Sequence, residues 1–88
     1  MKTNFQMIRE LNKIYNPKEK GIVLNEEILL IKKTLHLEEM NILQLRNLRD
    51  FVVLYLSNFE NEQISLTDKI SAITAVIDNE IFSKGGEV

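Results

Sequence analysis

Apolar residues recur at helical spacing in four stretches of the chain. In the first, about residues 3–16, Met7, Ile8, Leu11, Ile14 and Tyr15 follow the i, i+3, i+4, i+7 rule, with Phe5 ahead of them. Thr3 suits the N-cap, its hydroxyl accepting from a free first-turn amide. Pro17 stops the helix because the residue before a proline avoids α geometry. Lys18-Glu19-Lys20-Gly21 then reads as a loop.

The second stretch, about 25–40, carries Leu24, Ile28, Ile31 and Leu35 on one stripe, widened by Leu29, Leu30 and Leu37. Asn25 is the expected N-cap, and Glu26 and Glu27 sit in the first turn, where the helix dipole favours anions. A strand over Ile28–Ile31 is the alternative, which the surrounding Glu and Lys residues disfavour.

The third stretch, about 42–59, is the most apolar. Leu45, Leu48, Val52, Tyr55, Leu56 and Phe59 form its stripe, flanked by Phe51, Val53 and Leu54. Phe51–Tyr55 has strand propensity, but the length and spacing favour a central helix. Glu38 to Leu43 holds neither Gly nor Pro. A turn near Met40-Asn41 with Asn41 as cap is expected, and one long kinked helix is the alternative.

Asn58 to Gln63 reads as a polar turn. The fourth helix, about 66–84, opens with Ser65 and Asp68 as a capping box, Thr67 competing as cap. Leu66, Ile70, Ile73, Ile77 and Ile81 make its stripe, and Gly85-Gly86 ends it. Four amphipathic helices on short turns predict an all-α protein, an antiparallel four-helix bundle forming one domain over 1–88. Leu48, Val52, Tyr55, Ile70, Ile73 and Ile77 are its expected core.

Composition narrows the function. The chain of 88 residues has no cysteine, so disulfides and thiolate chemistry are excluded. Its longest uncharged, mostly apolar run, Phe51 to Phe59, is far short of the ~20 residues a membrane span needs. Arg9, Glu10 and Lys13 interrupt any signal-peptide core, so a cytoplasmic location is expected. Residues 1–49 hold nine Lys/Arg and six Asp/Glu, whereas residues 50–88 hold two and seven. This asymmetry suits either two differently solvated halves or a surface polarised toward a partner.

Catalytic chemistry is sparse. His36 is the single histidine, and Lys33 stands where a Glu-x-x-His di-iron motif needs its glutamate. His36 is expected at the solvated rim. Glu26-Glu27 and Glu38-Glu39 are sequence neighbours, pointing about 100° apart on a helix, and do not form a working pair. Gly85-Gly86 follows a helix and precedes none, so it is no phosphate loop. No enzyme activity, cofactor or metal is expected. A helix-turn-helix reader would have Arg46 and Arg49 as the only basic groups near its recognition helix, so nucleic acid is not the expected partner. Protein binding survives.

The back half resembles a family. Leu48-x-x-Phe51 through Tyr55, the turn Asn61-Glu62-Gln63-Ile64-Ser65-Leu66-Thr67, and a helix with Ile70, Ile73 and Ile77 are similar to the enterocin A immunity family. In the front half, Met7-Ile8-Arg9-Glu10-Leu11 and the Asn16-Pro17-Lys18 loop are similar as well. The resemblance implies a four-helix bundle in the cytosol of Gram-positive bacteria, giving resistance to pediocin-like (class IIa) bacteriocins. It implies action on the mannose-phosphotransferase membrane permease once a bacteriocin has engaged it, from a peripheral place at the membrane's inner face. Relatives continue past helix 4 with a specificity tail, whereas this sequence stops at Val88, which shifts the expected specificity to the helix 3–helix 4 hairpin. A small helical adaptor or homodimeric interaction module is the alternative function. Monomer or weak dimer is the expected state.

The candidate partner-binding residues are Asn58, Glu60, Asn61, Glu62 and Gln63 in the hairpin turn, and Asp78, Glu80, Phe82 and Lys84 near the end of helix 4. Phe82 follows Ile81 and points about 100° from the core. It either folds over the open end of the bundle as a lid or stands exposed as an aromatic anchor.

Overall fold

The computed structural model describes residues 2–58 and 66–86, Leu66 by its backbone alone. Within them lie helices α1 (Asn4–Ile14), α2 (Asn25–Leu35), α3 (Ile42–Ser57) and α4 (Leu66–Ser83), with a 3₁₀ turn at Leu37–Glu39 between α2 and α3. The protein is all-helical, with the four-helix architecture the periodicity predicts, and neither Ile28–Ile31 nor Phe51–Tyr55 is a strand.

Local chemistry sets most helix ends. Thr3 caps α1 through a reciprocal box with Gln6: Gln6 N donates to Thr3 Oγ1 at 3.1 Å and Thr3 N to Gln6 Oε1 at 2.9 Å. Asn41 and Gln44 repeat the arrangement at the start of α3, at 2.8 and 2.9 Å. The turn expected near Met40-Asn41 is therefore present, and a continuous helix is excluded. At the other end of the chain, Gly85 turns left-handed at φ +93°, while Gly86 N donates to Ile81 O and Gly85 N to Phe82 O. This Schellman pattern satisfies carbonyls that the last turn of α4 leaves open.

Several boundaries differ from the sequence reading. α1 ends at Ile14 instead of Asn16, because Tyr15 turns extended and sends its ring into the core. Leu24, not Asn25, is the N-cap of α2, and it caps without a side-chain bond. α2 stops at Leu35 instead of Met40. Leu35 and Leu37 are both fully buried, yet two residues apart on one helix they would point about 200° from each other. His36 resolves this by adopting left-handed geometry (φ 55°, ψ 43°), which swings Leu37 back into the core. α3 ends at Ser57 and α4 at Ser83. Thr67 lies inside α4 and is not its cap, while Phe59 and the Ser65 half of the capping box lie outside the described residues.

The core gathers Met7, Ile8 and Leu11 from α1, Tyr15 just beyond it, Ile31 and Leu35 from α2, Leu45, Leu48, Val52 and Leu56 from α3, and Ala72, Ile73, Val76, Ile77 and Ile81 from α4. Tyr55 and Ile70, expected inside, are half-buried at its edge. Tyr55 instead meets Phe5 edge-on at 5.0 Å and stacks with Phe51 at 6.4 Å. Helices α3 and α4 run antiparallel, with an Arg49 Nε–Asp78 Oδ1 pair at 2.6 Å midway and Ile42 beside Gly86 at the end.

Among the described residues, two charged groups sit inside. Glu27, 4% exposed, accepts from Tyr15 Oη at 2.9 Å and from Lys18 N at 3.3 Å, so it ties the α1–α2 loop to both helices. Its place in the first turn of α2 suits an anion. Lys69, 7% exposed, donates to Asn12 O at 3.2 Å and Asn12 Oδ1 at 2.9 Å, fastening α4 to α1. Burial pushes its ammonium below the usual lysine range.

Burial first, then the hydrogen bond and charge of Glu27, raise the ionisation of Tyr15 well above the ordinary phenol value of 10.0. A raised native value means that Tyr15 supports folding fully below about pH 10 and loses that support as pH climbs further. Tyr15→Phe should therefore cost on the order of 1–3 kcal/mol at neutral pH, since it strips a donor from a buried carboxylate. Denaturant titrations at pH 7 and above pH 10 check this: the gap between wild type and variant should narrow at the higher pH.

Candidate functional site

The candidate partner-binding residues that the structure describes separate in space. Asn58 is exposed and caps the C-terminus of α3 at the hairpin; Glu60, Asn61, Glu62 and Gln63 lie outside the described residues. Asp78, Glu80, Phe82 and Lys84 lie toward the other end of the hairpin. At 1.5 Å per residue, Leu66 and Phe82 are about 24 Å apart along α4. The fold thus sets Asn58 apart from the α4 group.

At the α4 end, three of the four side chains are engaged within the bundle. Asp78 holds Arg49 of α3. Glu80, with a side chain 11% exposed, reaches Lys32 of α2 at 3.6 Å and Lys84 at 3.8 Å. Lys84 donates to the carbonyls of Leu37 and Glu38, each at 3.2 Å, and to that of Met40. An ammonium among these carbonyls neutralises the open end of the 3₁₀ turn, as a cation does at any helix C-terminus. Asp78, Glu80 and Lys84 therefore fasten α4 to its neighbours. Apart from the local Glu80–Lys84 contact, their partners lie far away in sequence, so no local pattern signals the role.

Phe82 is 71% exposed. It does not fold over the bundle as a lid. The end it was to cover is closed by Lys84 and by Gly86, whose α-carbon packs so near Ile81 that an added Cβ would come within 2.7 Å of that side chain. An aromatic ring standing free on the last turn of α4 is costly to leave in water and well suited to contact.

A second feature escapes sequence reading. Lys2, Met7, His36, Glu39, Met40 and Gln44 help line an open groove of about 400 Å³ where α1, the 3₁₀ turn and α3 meet. Its volume falls in the range of small-ligand sites. Its polar rim is largely engaged already: Lys2 pairs with Glu10 at 2.6 Å, Gln44 serves the cap of α3, and His36 Nδ1 lies 3.9 Å from Glu39. His36 is exposed, at the rim of the fold, as expected. Among the described residues no three His, Cys, Asp or Glu side chains gather in metal-binding geometry. No described helix is long and apolar enough to cross a membrane.

Comparison with known proteins adds no relative: no family model, curated protein or solved structure matches the chain.

Proposed function

We propose that the chain is a bacteriocin immunity protein, guarding its producer against a pediocin-like (class IIa) peptide. It works from the cytosol, by contact and without catalysis, on a mannose-phosphotransferase permease that the peptide has engaged. The observation that supports this reading is the agreement between motif order and helical order. Leu48, Phe51 and Tyr55 fall on α3, Ile70, Ile73 and Ile77 on α4, and the two helices pair antiparallel. Met7-Ile8-Arg9-Glu10-Leu11 lies on a short first helix, and Asn16-Pro17-Lys18 directly after it.

In this reading the core residues and the α4 ion pairs keep the bundle standing, and exposed groups discriminate. Phe82 is the foremost of them at the α4 end. The experiment is protection: sensitive cells making the chain internally should withstand a pediocin-like peptide that kills their parents, and purified chain added outside should give none. Cells that gain no resistance would leave the bundle as a soluble adaptor instead.

A further inference from the structure

The side of α3 that looks away from the core carries a second seam. Leu43, Asn47, Asp50 and Leu54 are spaced four, three and four residues apart, the a/d rhythm by which two helices pack together. At 100° per residue they fall within about 60° of one another, opposite buried Leu45, Leu48, Val52 and Leu56. All four are exposed, Leu43 and Leu54 by 68% each. Among the described residues, neither the Asn47 amide nor the Asp50 carboxylate has a hydrogen-bond or ion-pair partner. The seam is therefore a single straight row on one helix, and nothing described in the bundle covers it.

The order of its residues says what fits there. Read in either direction, the row runs leucine, polar, polar, leucine. A second copy of α3 laid antiparallel sets each Leu43 against Leu54 of the other copy, at both ends of the contact. Between these apolar ends each Asn47 meets Asp50 of the other copy, an amide N–H donating to a carboxylate, and two-fold symmetry makes the pair twice. A parallel copy in register would bring the two Asp50 carboxylates together, and like charges there are costly. The row itself holds no cation, so phosphate-bearing lipid or nucleic acid finds no partner charge in it. Its pattern complements itself.

We infer that the chain self-associates as a symmetric dimer through the outer side of α3, with the two copies of that helix antiparallel. Leu43 and Leu54 supply the apolar contacts, and Asn47 and Asp50 set the register. A seam of about three turns is small against the roughly 1,600 Å² that stable complexes bury, so the association is weak, with a Kd on the order of 100 µM. Phe82, on α4, is not part of it. The inference does not rest on the immunity reading, because mass in solution and protection of cells are independent readouts.

The test is sedimentation equilibrium of the purified full chain from about 10 µM to about 1 mM, a range that brackets such a Kd. The mean mass should rise from the monomer's 10.3 kDa toward twice that value. Leu43→Lys and Leu54→Glu, each an exposed change and each counted twice in a symmetric dimer, should weaken association at least about tenfold. Mixing these two variants should restore it to within a few-fold of wild type, since one end then joins opposite charges while the other keeps its leucine pair. Leu29→Ser, at a site on α2 that is 67% exposed, should change nothing. Circular dichroism confirms that every variant is folded. A wild type that stays monomeric across the range would overturn the inference, as would a dimer indifferent to both α3 changes. Equal loss from Leu29→Ser, or a mixture no tighter than either variant alone, would overturn it too.

Discussion

Val52→Asp is expected to abolish cooperative folding. Val52 is fully buried on α3, among Leu48, Leu56 and the apolar row of α4. Removing a buried valine forfeits about 1.5–3 kcal/mol of burial. An unpaired carboxylate in its place adds several kcal/mol of desolvation, or must be neutralised. A domain of this length has on the order of 4–13 kcal/mol to lose, at 0.05–0.15 kcal/mol per residue. The penalty is therefore comparable with the whole stability. Leu54→Asp, two residues on at a site 68% exposed, is the internal control and should stay within about 0.5 kcal/mol of wild type. Thermal melts followed by far-ultraviolet circular dichroism distinguish the two. A Val52→Asp protein that still melts cooperatively near the wild-type temperature would mean that the interior faces are wrongly placed.

Phe82→Ala should do the opposite: preserve the fold and damage the function. With 71% of Phe82 in solvent, truncation removes little packing, and the unfolding midpoint should barely move. As an anchor at an interface, an aromatic side chain of this kind contributes about 2 kcal/mol or more, close to a thirtyfold change in affinity. Cells producing the variant should thus lose most of the protection proposed for the wild type, at equal protein level. A variant that is stable and fully protective would remove Phe82 from the interface. One that unfolds would place the ring in the core after all.

The contrast between these two positions shows what the sequence alone discloses. Stripes such as Leu45, Leu48, Val52, Leu56 and Ile73, Ile77, Ile81 are local and periodic, and they specified both the helices and their buried faces. Thr3 and Asn41 were readable as caps because a cap and its partner lie three residues apart. His36 was not readable as a break. A left-handed residue is usually signalled by glycine, and here the signal was the unfavourable spacing of Leu35 and Leu37. Nothing local marks Glu27 or Lys69 as buried, since only the tertiary arrangement brings Tyr15 and Asn12 to them. The same limit governs the candidate site. Phe82 stood out by its helical angle, whereas the engagement of Asp78, Glu80 and Lys84 depends on α2, α3 and the 3₁₀ turn, which no local pattern contains.

The immunity reading itself is tested most directly by inhibitory concentration. Isogenic sensitive strains with and without cytosolic expression of the chain would be challenged with a panel of pediocin-like bacteriocins, alongside parent cells bathed in the purified protein. A rise in the inhibitory concentration of at least one peptide, confined to the expressing cells, is the result predicted. An unchanged concentration across the whole panel, with the folded protein present in the cells, would contradict it.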